Sequence, residues 1–185
     1  MQGNTKAEYN LGIIFDNGKG VTKSHKVAAK WFRKAAEKGN AKAQYNLGTA
    51  YLRGQGLAQD HQQAINWFRK SAKQGLPIAQ YNSGLMCEKG DGTRQNYEQA
   101  VQWCRRAAEH GDSGSQTNLG AMYAHGNGVL QDYVYAHMWF NIAALNGNRR
   151  AVMNRFIVTK EMAKEQVAEA QNLARECVKK KYRGC

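Results

Sequence analysis

One block recurs every 36 residues, and nothing else in the chain constrains its fold as strongly. From Ala7 it reads AEYNLGIIFDNGKG, from Ala43 AQYNLGTAYLRGQG, from Ala79 AQYNSGLMCEKGDG and from Ser115 SQTNLGAMYAHGNG. A glycine pair beside a helix can cradle a phosphate, because backbone N–H groups point outward there and glycine admits an anion closely. Repetition at a constant period points instead to a structural turn. The Gly-Lys-Ser/Thr ending and the preceding strand of a phosphate loop are also missing.

The columns of the repeat each have a physical reading. Gly3, Gly39, Gly75, Gly111 and Gly147 share one column, followed by Asn4, Asn40, Leu76, Asp112 and Asn148. This is a helix stop followed by a helix start, with glycine in the left-handed position and Asn or Asp as the next N-cap. Leu76 departs from the pattern, but Pro77 after it suits a first helical turn. The first helix of each unit then places Leu11, Leu47 and Leu119, with Ser83 in the third unit, next to Gly12, Gly48, Gly84 and Gly120 on one face. After the glycine pair, Ser24, Asp60, Asn96 and Asp132 start a second helix. Its stripe is Ala28, Trp31, Phe32 and Ala36 in the first unit, repeated through Ala136, Trp139, Phe140 and Ala144, with Cys104 in place of Phe in the third. All four tryptophans therefore fall in a single column expected to be buried.

A helix pair of this size cannot bury its stripe alone, so neighbouring pairs must stack. The spacing predicts an all-α array occupying 1–185 as a single repeat domain. Its units run about 4–39, 40–75, 76–111 and 112–147, followed at 148–185 by a fifth half-unit and a capping helix. The cap is drawn from Val167, Ala170, Leu173, Ala174 and Cys177, and the Lys179–Arg183 tail is expected to fray into solvent.

The pattern Leu-Gly-x-x-Tyr, a Gly-x-Gly turn and Ala-x-x-x-Phe on the second helix resembles the Sel1-like repeat, the 36-residue relative of the tetratricopeptide repeat. The resemblance covers residues 7–147 and implies a right-handed α-solenoid that serves as a scaffold or adaptor for other proteins. It also implies a bacterial chain, periplasmic or secreted in preference to cytoplasmic. Met1 leads into a polar segment without the apolar run of a signal peptide, and no stretch approaches the roughly 20 apolar residues of a membrane span.

No catalytic constellation emerges. The segment Gly111-Asp112-Ser113-Gly114-Ser115 imitates a serine nucleophile, but stop and cap columns explain Gly111 and Asp112. The histidines His25, His61, His110, His125 and His137 have no zinc-ligand spacing, and His25 and His61 are read as exposed residues just after an N-cap. No metal, no cofactor and no enzymatic activity are expected. Cys87 and Cys104 replace aromatic residues in the third unit. If Gly84 and Ala100 are level, the two cysteines are offset by about 10 Å along the helix axes, beyond the roughly 4.4–6.8 Å Cα span of a disulfide. Both are expected as reduced, buried thiols. An alternative reading, a protein that interacts with cell wall or β-lactam, comes from the cysteine-rich Helicobacter branch of the same family. Its members carry a disulfide in each repeat, whereas here Ala36, Ala72, Ala108 and Ala144 hold the second helix.

Binding residues are sought in two ladders. The amides of Asn10, Asn46, Asn82, Asn118 and Asn154 recur once per unit on the first helix, where they either clamp an extended peptide or bond a neighbouring helix. The residues beside them vary, and Ile14, Ala50, Met86 and Met122 are expected to set specificity on a concave first-helix face, as the resemblance implies. Arg33 and Lys34, Arg69 and Lys70, and Arg105 and Arg106 line up as a basic ridge on the second helices, suited to an acidic protein or otherwise a solvated face.

The formal charge of +13 is concentrated at the ends. Residues 1–42 hold nine Lys/Arg against three Asp/Glu, and residues 149–185 hold ten against four. The expected partner is a protein or peptide, acidic where charge matters. Nucleic acid is not expected, because the aromatics that would stack on bases are committed to the core. Self-association through an uncapped first repeat at Ile13 and Ile14 is a further expectation.

Overall fold

The computed structural model describes residues 2–185, with side chains from residue 4 onward. The described residues form ten α-helices and no strand: α1 (Gln2–Asn17), α2 (His25–Glu37), α3 (Ala41–Arg53), α4 (His61–Lys73), α5 (Pro77–Lys89), α6 (Tyr97–Glu109), α7 (Ser113–His125), α8 (Tyr133–Leu145), α9 (Arg149–Thr159) and α10 (Lys164–Lys179). One compact unit ends at Gln95 and holds α1–α5, and a second begins at Asn96 and holds α6–α10. The fold is an all-α solenoid of stacked helix pairs.

Side-chain caps fix where the helices begin. Ser24, Asp60, Asn96 and Asp132 each accept a backbone N–H three residues on, at the start of the second helices. Asn40, Asp112 and Asn148 do the same for first helices, each worth about 1 kcal/mol. Leu76 supplies no cap bond, and Pro77 takes the first helical turn instead. Gly39, Gly75, Gly111 and Gly147 adopt the left-handed conformation expected of the stop column. The exception is the beginning, where α1 runs through Gly3 and Asn4, so these residues are neither stop nor cap.

In the first unit, α1 pairs with α2 and α3 with α4, while α3 packs on α2 and α5 on α4. Ala28, Phe32, Ala35, Ala36, Ala43 and Leu47 form the buried cluster there. In the second unit α7 pairs with α8, and Ala136, Phe140, Ala143, Ala151 and Val158 form a cluster that reaches into α9. Glycine on the first helix makes room for the phenylalanine rings. A Cβ on Gly12 would lie 2.5 Å from Phe32, and Cβ atoms on Gly48 and Gly120 would lie 2.8 Å from Phe68 and Phe140.

The tryptophan column is less uniform than its sequence. Trp139 is fully buried, but Trp31 and Trp67 are half-buried and lie under cations, with Lys34 Nζ 4.5 Å from the Trp31 ring and Lys70 Nζ 4.1 Å from that of Trp67. These rings sit at the edge of the stripe, where a long basic side chain covers what the next helix does not.

At the C-terminus α10 packs on α8. The tail after it does not fray. Cys177 is bonded to Cys185, Tyr182 adopts a left-handed backbone, and its hydroxyl reaches Asn146 Oδ1 at 3.2 Å while its ring lies against Gly111. The basic composition of the tail concealed this anchor, because one aromatic ring and one disulfide outweigh the tendency of four cations to stay solvated. Cys87 and Cys104 are buried and neither takes part in a disulfide.

Candidate functional site

The glycine turns hold no anion cradle. In the second repeat the N–H groups of Gly54 and Gln55 both donate to the Ala50 carbonyl, and the N–H groups of Gly90 and Asp91 both donate to Met86 in the third. Amides spent on closing a helix are not offered to a phosphate.

Of the two ladders, the basic one is partly consumed by the fold. Arg33 donates to the Tyr51 hydroxyl at 2.7 Å and Arg105 to the Tyr123 hydroxyl at 2.6 Å, while Arg69 reaches Cys87 Sγ at 3.4 Å. Each arginine thus ties a second helix to the following first helix, 18 residues on. Lys34, Lys70 and Arg106 lie over the tryptophans of their own helices, with Arg106 at 4.9 Å from the Trp103 ring.

The asparagine ladder is different. Among the described residues, none of the amides of Asn10, Asn46, Asn82, Asn118 and Asn154 makes a hydrogen bond, and Asn118 Nδ2 is buried without a partner. The amides that bond a neighbouring helix belong to another column, two residues earlier. Gln44, Gln80 and Gln116 donate to the carbonyls of Ala36, Ala72 and Ala108 at 3.1–3.2 Å, and Gln74 and Asn146 donate in turn to Gln44 and Gln116. In the first repeat the same column holds Glu8, paired with Lys38 at 2.7 Å. Recurrence of Gln at this position was the signal in the sequence, hidden by the more regular asparagine beside it.

Ala50, Met86 and Met122 are buried, at 7%, 4% and 1% exposed, and Ile14 is half-buried, so the side chains expected to vary the binding face belong largely to the core. Their neighbours Thr49, Leu85 and Ala121 are more open, while Ile13 is half-buried like Ile14. The period identified the columns, but one step along a helix turns a side chain by about 100° and decides between core and groove.

Two cavities open beside the asparagine ladder, and they occupy the same place in the repeat. One lies in the first unit, about 50 Å³ in volume, lined by Asp16, His25, Phe32, Asn46, Thr49 and Ala50. The other lies in the second unit, about 560 Å³, and its lining includes the corresponding residues Ala124, Tyr133, Phe140, Asn154, Ile157 and Val158. The two linings differ in chemistry. In the first, the lining residues His25 and Asp16 form a bridge, with Nδ1 and Oδ1 2.8 Å apart, which also corrects the reading of His25 as a simple exposed residue. Ala124 and Tyr133 cannot form that bridge, and the larger cavity stays open toward Arg150 and Glu161.

On α8, His137 is 3% exposed with no partner on Nδ1. Burial pushes its pKa down, and the Arg155 guanidinium adds to the effect. Arg155 occupies the position that Leu47 fills in the second repeat and donates to Asn141 Oδ1. Among the described residues no group of His, Cys, Asp and Glu side chains is placed to hold a metal ion, and no helix is long and apolar enough to cross a membrane.

The model of the Sel1 repeat matches four times in succession, at residues 5–40, 41–76, 77–112 and 113–148. The chain belongs to the Sel1 repeat family. Among solved structures it is similar to a protective antigen of uropathogenic Escherichia coli strains that displays an SLR fold, with 37% identity over 98% of this chain and a TM-score of 0.88. It is similar also to a Sel1 repeat protein from Oxalobacter formigenes, with 36% identity over 96% of this chain and a TM-score of 0.81. The chain spans 40% of the length of the first and 74% of the second. No curated protein matches it. Sel1 repeats generally mediate protein–protein interaction.

Proposed function

We propose that this Sel1 repeat chain is a non-catalytic scaffold that holds a protein or peptide segment along the face made by its first helices. The observation that carries this reading is the row of asparagines whose amides no hydrogen bond engages, two of which, Asn46 and Asn154, open on cavities. A primary amide carries both donor and acceptor, so a row of them matches the alternating groups of an extended backbone. Basic charge at both ends favours an acidic partner, and the Cys177–Cys185 bond suits an oxidising compartment such as the periplasm. The β-lactam reading finds no support in a chain whose disulfide lies outside the repeats.

A photoreactive amino acid placed at Asn46, Thr49 or Asn154 in the native organism should give discrete protein adducts, whereas the same group at Lys30 or Gln102 on the second helices should give none. Equal labelling from both faces, or no adduct from the first-helix face, refutes the reading.

A further inference from the structure

We infer that the groove between α7 and α9 is a peptide-binding pocket for an extended segment carrying one bulky apolar side chain with an acidic residue on a defined side of it. The inference rests on the scaffold reading and assigns its ligand chemistry.

The argument begins with the contrast between the two equivalent cavities. Where Asp16 and His25 join, the space beneath is about 50 Å³, and where Ala124 and Tyr133 stand in their places it is about 560 Å³. The floor of the larger space is apolar, made by Phe140 and Val158, and both are buried. A volume of this size in such a setting accepts a large aliphatic or aromatic side chain. Asn154 lines the same cavity with its amide unengaged, so it can hold the ligand backbone beside the anchored side chain.

Charge then sets direction. Arg150 lines the cavity at the first turn of α9, beside Arg149, and that turn contains no acidic residue. Glu161 lines it just beyond the opposite end of the helix. The separation is roughly 15 Å at the helical rise, which an extended segment of about five residues spans. An acidic side chain therefore belongs at the Arg150 end, where the positive helix terminus adds to the guanidinium, and is repelled at the Glu161 end. His125 also lines the cavity, but its Nδ1 lies 2.8 Å from the Ala121 carbonyl. Outside the groove, Met153 and Phe156 on α9 are about 60% exposed, and Lys160 lies 4.5 Å over the Phe156 ring, so the apolar surface continues under a basic rim. That rim disfavours a second copy of this chain, whose own ends are basic, and favours an acidic partner.

The test is selection of random twelve-residue peptides displayed on phage against the whole chain, followed by titration of synthetic winners. Selected peptides should share one bulky apolar residue with Asp or Glu consistently on one side. The double variant Ala124→Asp/Tyr133→His copies the bridge of the first repeat and should weaken binding by about tenfold to a hundredfold, the loss expected when an apolar anchor is no longer buried. Arg150 is exposed, so Arg150→Glu should keep the fold, weaken acidic peptides roughly fivefold or more and be rescued by peptides with Lys at that place. Unchanged thermal unfolding confirms that either variant is folded. Peptides that bind the double variant as tightly as the parent, peptides without the charge preference, or an empty selection each overturn the assignment. The adducts from Asn46 and Thr49 report separately on whether the scaffold reading survives.

Discussion

Gly56 lies so close to the start of the preceding repeat's second helix that a Cβ on it would stand 2.3 Å from the carbonyl carbon of His25. The same relation links Gly92 to His61 and Gly128 to Tyr97, so the second glycine of each of these turns is where one repeat's backbone rests on another. Gly20 has the same left-handed backbone, φ +72°, with nothing within 4 Å. Gly20→Ala should therefore cost only the conformational penalty, about 1–2 kcal/mol, whereas Gly56→Ala adds a backbone collision and should cost at least about 3 kcal/mol. Guanidinium unfolding of the two variants measures the difference. Equal losses would mean that the glycine pair serves its own turn and not the stacking of repeats.

His137 is buried, and both desolvation and the nearby Arg155 lower its pKa below the usual 6.5. The unfolded chain consequently takes up a proton at a higher pH than the folded one. The stability contributed by neutral His137 is complete above about pH 6.5 and is lost as the pH falls toward and through the folded pKa. His137→Gln should flatten the fall in melting temperature between about pH 7 and pH 5 relative to the parent. Parallel curves for the two proteins would contradict the shift.

The Cys177–Cys185 bond closes a short loop that carries Tyr182 onto Gly111 and Asn146. In the chain-entropy model a loop of this length contributes about 2–3 kcal/mol. Cys185→Ser should lower stability by no more than this and should release Tyr182, seen as faster amide exchange after Cys177. The effect should disappear when both proteins are compared in reductant.

Much of this fold is legible in the sequence because its determinants are local. A cap such as Asp60 and a stop such as Gly75 act within one helical turn, so each unit announces its own boundaries. What the period does not reveal is orientation around the helix and contact across long separations. Met86 and Met122 share a column with Ala50 and are buried with it, while Thr49 and Ala121, one position earlier, line cavities. The groove itself depends on Ala124 and Tyr133 replacing a bonded Asp–His pair, a relation that exists only once the turn has brought residues nine apart together. The anchor of Tyr182 on Asn146 spans 36 residues, and the basic run around it points the other way.

The sharpest separation of structure from binding is between two residues one half-turn apart on α7. Gln116 donates to the Ala108 carbonyl at 3.2 Å and accepts from Asn146 at 2.9 Å, so it joins α7 to the helix before and to the one after. Asn118 is 8% exposed and its Nδ2 has no partner. Removing a satisfied buried amide strands the groups it served, and Gln116→Ala should cost about 2–3 kcal/mol across its two bonds. Removing an unsatisfied one relieves a desolvation penalty that nothing offsets, so Asn118→Ala should change stability by less than about 0.5 kcal/mol or raise it. Paired denaturant titrations decide the matter. If Asn118→Ala destabilised the chain as much as Gln116→Ala, the asparagine row would be part of the scaffold's own framework, and its constancy would carry no message about a ligand.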